Sequence, residues 1–172
     1  MAVLSRPSRA YSPWKLLLVA TLVCVVALTS LVPMIAADAG GGGFRFKRAE
    51  NCLMNRINRL RVHHGLSAIN RDRQLTYVAR THADSMADAG GVWHDQNVNW
   101  KVTHWVRLGQ NTGRGGSCKS LTRSFMNSYE HRKHILGRYR FMGIGTVRKG
   151  GNVYVQELFE SRHDPGNVYH YP

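Results

Sequence analysis

Arg71-Asp-Arg-Gln-Leu-Thr-Tyr-Val-Ala-Arg-Thr-His-Ala-Asp-Ser-Met-Ala-Asp-Ala89 is the stretch on which the architecture turns. Leu75, Val78, Ala79, His82, Ala83, Met86 and Ala87 recur at i, i+3, i+4, i+7 spacing, and Gly90-Gly91 follows at once. The spacing predicts a helix over 71–89 with one apolar stripe that needs covering. Upstream, Leu53, Ile57 and Leu60, with Met54 beside them, predict an earlier helix from Glu50 to His64, stopped by Gly65. Downstream, 92–117 reads as irregular but packed, because it holds Trp93, Trp100 and Trp105 among Asn and Gly. Ser117 or Ser120 is placed to cap a short third helix carrying Leu121 and Phe125, and His131 to Gly137 adds a turn. The period then changes: Phe141–Val147 and Val153–Phe159 are β-type runs flanking Lys149-Gly150-Gly151-Asn152, a hairpin signal. Helices followed by a terminal hairpin give an α+β domain with helices stacked on a small antiparallel sheet.

The N-terminal 39 residues read differently. Arg6, Arg9 and Lys15 precede an uncharged apolar run from Leu16 to Ala37, and Ala37-Asp38-Ala39 offers small residues at cleavage spacing. Two fates fit: a signal peptide cut after Ala39, or an uncleaved N-terminal membrane anchor, since about 20 apolar residues span a bilayer as a helix. Both carry the domain across the membrane, because the positive flank lies on the N-terminal side. The organisation is therefore leader or anchor 1–39, Gly-rich basic linker 40–48, compact domain 49–160 and polar tail 161–172. The expected location is extracellular, or the outer face of the cytoplasmic membrane.

The chain carries 24 Lys/Arg and 10 Asp/Glu; residues 1–39 hold three and one of these, which leaves a net +12 over the other 133. Such an excess attracts anionic lipid, acidic wall polymer or another anionic envelope component. It also fits the plainer role of keeping an exported domain soluble. No nucleic-acid motif is present and the aromatics are not interleaved with the basic residues at stacking spacing, so specific nucleic-acid binding is not expected. Nothing in the sequence speaks to oligomeric state. Cys24 falls in the apolar run, which leaves Cys52 and Cys118 as a disulfide pair in an oxidising compartment.

An ordered set of local patterns goes further. It comprises Asn55-Arg-Ile-Asn-Arg59 with Gly65-Leu66; Leu75, Ala79, His82-Ala83 and Met86; Gly91-Val-Trp-His94; and Trp105-Val-Arg-Leu-Gly-Gln-Asn111. It ends with Phe125-Met-Asn-Ser128-Tyr-Glu-His131-Arg132 with Ile135-Leu136, Gly143-Ile-Gly145 and Tyr154-Val-Gln-Glu-Leu-Phe159. Together these resemble the CAP superfamily (cysteine-rich secretory proteins, antigen 5 and pathogenesis-related proteins), in its bacterial SCP-like branch. The resemblance covers about residues 50–160 and implies a three-layer α–β–α sandwich. It also implies a groove lined by two histidines and two acids, which in some members holds a divalent cation.

The positions that match the groove are His94, Gln110, Ser128 and His131. The family's Gly-Glu-Asn triplet falls on Gly109-Gln110-Asn111, so one acid is an amide here, and the second acid has its nearest match at Ser128. His94 and His131 are the only candidate metal ligands, for Zn or Mg. A neutral amide is a poor zinc ligand and leaves the ion's charge unopposed, so no cofactor is required and any divalent cation is held weakly. Glu130 is a possible substitute acid. Gln110 cannot take up a proton at neutral pH, which weakens base catalysis there. Ser128 with His131 lacks the orienting acid and oxyanion site that a nucleophile needs.

The remaining polar residues have structural readings. His82 is a buried, satisfied histidine and Arg132 a loop-holding residue. Asn111 is a turn residue, and Glu157 is expected to pair with an arginine. His63, His64, His104, His134, His163 and His170 read as surface residues. The favoured function is a non-enzymatic domain that binds an envelope component, lipid or small ligand through the histidine groove and basic surface. The competing one is a metal-assisted hydrolase of peptide or cell-wall substrate using His94 and His131.

Overall fold

In the computed structural model the described residues are 45–161. The expectations for the leader or anchor, for the glycines at 40–43 and for the tail from 162 lie outside them. Among the described residues no helix is long and apolar enough to cross a membrane.

Helix α1 runs Arg48–His63, strand β1 is Asn70–Arg71, and α2 runs Arg73–Ala89. They are followed by α3 (Val98–Lys101), β2 (Leu108–Gly115), α4 (Cys118–Asn127), α5 (Tyr129–Ile135), β3 (Phe141–Lys149) and β4 (Asn152–Glu160). The sheet order is β1-β3-β4-β2, parallel between β1 and β3 and antiparallel elsewhere. Gly150 and Gly151, both at positive φ, turn the β3–β4 hairpin in two residues, as expected.

The apolar stripe of α2 is covered as its spacing demands. Leu75, Val78 and Ala79 pack with Leu158, and Ala83, Met86 and Ala87 with Tyr154. The helix lies almost on the backbone of β3: a Cβ on Gly143 or Gly145 would sit 2.1 Å from α2 main-chain atoms. On the other face Leu53, Met54, Ile57, Leu121, Phe125 and Ile135 pack on Ile144, Val153, Val155 and Phe159. The result is three layers: α2, the sheet, and α1 with α4 and α5.

Polar ties fix the layers. Glu50 is fully buried, accepts two bonds from Arg80 at 2.8 and 2.7 Å and caps its own helix through Lys47 N. Cys52 and Cys118 form the expected disulfide, with Cα atoms 6.1 Å apart, joining α1 to the start of α4.

Two expectations need correction. Helix α2 begins at Arg73, after Asp72 caps Leu75 N at 2.8 Å, and Asn70–Arg71 is a strand. Residues 92–117 are also not wholly irregular, since β2 occupies Leu108–Gly115 and pairs along its whole length with β4. Its sequence, Leu-Gly-Gln-Asn-Thr-Gly-Arg-Gly, lacks apolar alternation for a steric reason. At Gly113 a Cβ would meet the Phe125 ring at 2.9 Å, so α4 packs directly on the strand backbone.

Candidate functional site

The site grows from the edge strand β2. Its alternation sends Asn111 towards the α4–α5 layer, with Glu157 opposite it on β4. Gln110 goes to the α2 side, in register with Leu158. Helix α4 ends at Asn127 and the chain turns at Ser128, which is extended at φ −92° and ψ 125°, before α5 begins. Arg61 then fastens the end of α5. It is buried, and its guanidinium donates to the carbonyls of Ile135 (2.7 Å), Gly137 (2.9 Å), Tyr139 (3.3 Å) and Ser67 (3.0 Å). The cation meets the carbonyl end of the helix, where the dipole favours it. Arg132 holds the preceding turn by donating to Met126 O at 2.9 Å, the loop role expected of it.

His131 and His94 come from distant segments, yet each lies within the other's electrostatic reach. Burial first, and then the neighbouring His94, holds the His131 imidazolium acid below its ordinary value, against a smaller opposing pull from Glu130. His131 is half-buried with its ring tilted on Phe125 at 4.9 Å, and His94 is exposed on the loop after α2.

Gln110 is held at both ends. Its carbonyl accepts from Asp95 N (3.1 Å) and Gln156 Nε2 (3.0 Å), and its amide donates to Asp95 O (3.1 Å). Ser128 makes no side-chain hydrogen bond among the described residues. Glu130 is exposed and bonds Lys133.

His134, read from sequence as a surface residue, is half-buried beside this pair. It lies one helical turn after His131, against Tyr139 and Phe159. The i, i+3 spacing of His131 and His134 was the available signal, because it puts both on one face of α5. Asn111 is not a turn residue. It is fully buried in β2, and its amide donates to His131 O (3.2 Å) and Glu157 Oε2 (3.0 Å). Those acceptors fix the orientation of the amide, so its Oδ1 accepts from His134 Nδ1–H at 2.9 Å. Neutral His134 therefore keeps its lone pair on Nε2. Burial, followed by Lys133, His131 and His94, lowers its pKa.

Among the described residues Glu157 has no arginine partner; Asn111 takes that place. The carboxyl is fully buried, its Oε1 has no partner among the described residues, and burial pushes its pKa up to about 8. It is thus a neutral acid at pH 7. His82 is the satisfied buried histidine expected, with Nε2 2.8 Å from Trp93 O.

The donor set does not suit a divalent cation. Among the described residues no three His, Cys, Asp or Glu side chains converge as a metal site, and the Gln110 oxygen is already committed to two N–H donors. What these residues offer is two half-buried imidazoles, His131 and His134, in which burial disfavours the protonated form, with the exposed His94 within electrostatic reach.

The family model for CAP, the cysteine-rich secretory protein family, matches residues 54–159. The chain belongs to that family. No curated protein matches it by sequence. Among solved structures it is similar to an outer surface protein from Borrelia burgdorferi, with TM-score 0.62, 17% identity, and 69% of this chain and 96% of that one covered. It is also similar to an extracellular protein containing an SCP domain from Bacillus anthracis, with TM-score 0.57 and 23% identity over 66% of this chain and 41% of that one. A third likeness is to a cysteine-rich secretory protein from Staphylococcus aureus, with TM-score 0.57 and 20% identity over 69% and 40%. At these identities the likeness establishes the fold, and the last two proteins are more than twice as long as the part covered.

Proposed function

We propose that this chain is an exported, non-enzymatic binding domain that takes an anionic envelope component or lipid through the His94–His131 groove and the basic surface around it. The observation that carries the reading is the clamp on Gln110. The position that would bear a groove carboxylate is a neutral amide spent on Asp95 and Gln156, so no carboxylate stands at that position beside the imidazoles. A chain of net +14 adds a field that draws anions in. Export is supported by the charged flank and apolar run at the N-terminus, and by similarity to outer-surface and extracellular proteins.

The test is sedimentation of the protein with phosphatidylglycerol vesicles and with an acidic wall polymer, at low salt and at about 0.5 M, where charges are screened beyond about 4 Å. Binding that falls with salt, and falls further when His94 and His131 are both replaced by alanine, is the expected outcome. Salt-independent binding that ignores both substitutions rejects the reading. The competing hydrolase reading requires turnover of a peptide or wall substrate that the same double substitution abolishes and a chelator suppresses.

A further inference from the structure

The segment between α2 and β2 leaves large apolar side chains in solvent although its backbone is held rigid. Trp100 on α3 is 83% exposed and Trp105 is 40% exposed. The loop has not failed to fold. The Asp95 carboxylate bonds Asn97 N (3.0 Å) and Lys101 Nζ (2.7 Å), Thr103 N reaches Gln74 Oε1 (3.1 Å), and Val106 N reaches Glu160 Oε1 (2.8 Å). Val102 is buried beneath it. The Trp105 indole N–H bonds Asn99 O at 3.0 Å, which fixes a second indole against the residue next to Trp100. Two tryptophans are thus presented on a preorganised mount, so little conformational entropy is lost when something covers them.

The polar groups around them identify the occupant. Asn97 and Asn99 are exposed, and their side-chain amides make no hydrogen bond among the described residues. Gln96, also exposed, has only a long 3.4 Å bond to His94 O. Each amide offers two donors and an acceptor. Charge is locally engaged: Asp95 and Lys101, the acid and the lysine between 92 and 106, are paired with each other, and the next cation, Arg107, donates to Arg138 O and lies over the Tyr139 ring. A surface meant for anionic lipid or nucleic acid would bring its cations to the aromatics. This one brings neutral amides, the complement of a ligand with apolar C–H faces edged by hydroxyl groups.

We propose that Trp100 and Trp105, edged by the amides of Gln96, Asn97 and Asn99, form a docking platform for a neutral glycan. The sugar rings lie on the indole faces and their hydroxyls bond the amides. The platform does not use the histidine groove and does not depend on the function proposed above.

The experiment titrates the full chain with chitotetraose, a neutral arabinogalactan and a mannan, reading tryptophan emission and mobility in glycan-containing gels. At least one of the three is expected to bind. Trp100→Ala should weaken it about tenfold or more, Trp100→Phe should retain most of it, and about 0.5 M salt should leave it unchanged. The His94→Ala/His131→Ala protein should bind the glycan as well as the parent does, which separates failure here from failure of the groove reading. The proposal is overturned if none of the three glycans binds. It is also overturned if Trp100→Ala binds as tightly as the parent, if salt abolishes the interaction, or if phosphatidylglycerol vesicles and not glycans shift the tryptophan emission.

Discussion

Asn111 and Glu157 face each other across the β2–β4 ladder, and the Asn111 amide donates to Glu157 Oε2 over 3.0 Å in a space closed to water. One neutral hydrogen bond does not balance the loss of solvent around a carboxylate, so the acid keeps its proton up to about pH 8. An unfolded glutamate loses it near 4.5. Between those values the folded state binds the extra proton, and stability must fall as pH rises. Over the full window the loss amounts to a few kcal/mol at order of magnitude. Thermal midpoints measured from pH 5 to 8 should decline, and Glu157→Gln, an isosteric neutral side chain, should flatten the decline and raise the midpoint at pH 8. An unchanged slope in that variant would show that the proton is held elsewhere.

The same variant exposes an opposite limb. His131 and His134 both have pKa values lowered by burial and by neighbouring cations, so the unfolded state holds more protons as the pH drops through 6.5. Their contribution is intact above 6.5 and is lost below it, the reverse of Glu157. In Glu157→Gln the midpoint should therefore fall on acidification from 6.5 to 5, where the parent's two limbs partly cancel. A midpoint flat over that range would mean that the two imidazoles titrate normally.

Periodicity reported what it could reach. The α2 stripe, the hairpin at Gly150-Gly151 and the pairing of Cys52 with Cys118 were legible because apolar spacing, turn chemistry and cysteine count are local or nearly so. Strand β2 was hidden because helices packed on its backbone leave room for glycine and not for the Val or Ile that marks a strand. The partner of Glu157 was hidden for a related reason. Its burial follows from lying between Val155 and Phe159 on one strand face, but the choice of Asn111 over an arginine depends on register between strands 46 residues apart in sequence. His134 escaped notice because its role exists only once Asn111 is in place. The pairing of His94 with His131 came from resemblance and not from spacing.

Asn111 should be costly to remove. Its side chain serves His131 O, Glu157 Oε2 and His134 Nδ1, all within or at the edge of the core. Asn111→Leu leaves those groups without partners, at about 1–3 kcal/mol for each that water cannot reach. A loss of about 3 kcal/mol in urea unfolding is expected. In nitrogen NMR, His134 should change from a single Nδ1–H tautomer to a mixture. A variant with full stability and an unchanged His134 tautomer would refute the clamp.

Gly145 tests the contact between α2 and the sheet. An alanine Cβ there would lie 2.1 Å from the Ala79 carbonyl carbon and the Arg80 nitrogen, both held in the interior of a helix that cannot yield by rotating a side chain. Overpacking against flexible neighbours costs about 1–3 kcal/mol, and against backbone it should reach or exceed the upper figure. Gly145→Ala is expected to lower the unfolding free energy by about 3 kcal/mol or more, whereas alanine at the solvent-facing Gly116, with nothing within 4 Å, should change it by less than about 1 kcal/mol. Equal effects at the two positions would mean that α2 rides higher on β3 than described.

The disulfide acts on the unfolded chain. Cys52 and Cys118 are 66 residues apart, and closing a loop of that length removes denatured-state entropy equivalent to about 4 kcal/mol in the loop model. The bridge leaves most of the domain inside its loop, including α2, β2 and the His94 segment, and places α5 and the hairpin outside it. Reduction should therefore weaken the whole cooperative unit and not the His94 segment alone. The measurement is urea unfolding of the parent with and without reductant, beside Cys52→Ala/Cys118→Ala, which removes the bridge without leaving reactive thiols. Both routes should lower the midpoint by a similar amount. A double variant as stable as the oxidised parent would mean that the unfolded chain is already compact around the two sites, so that the cross-link constrains little that is free.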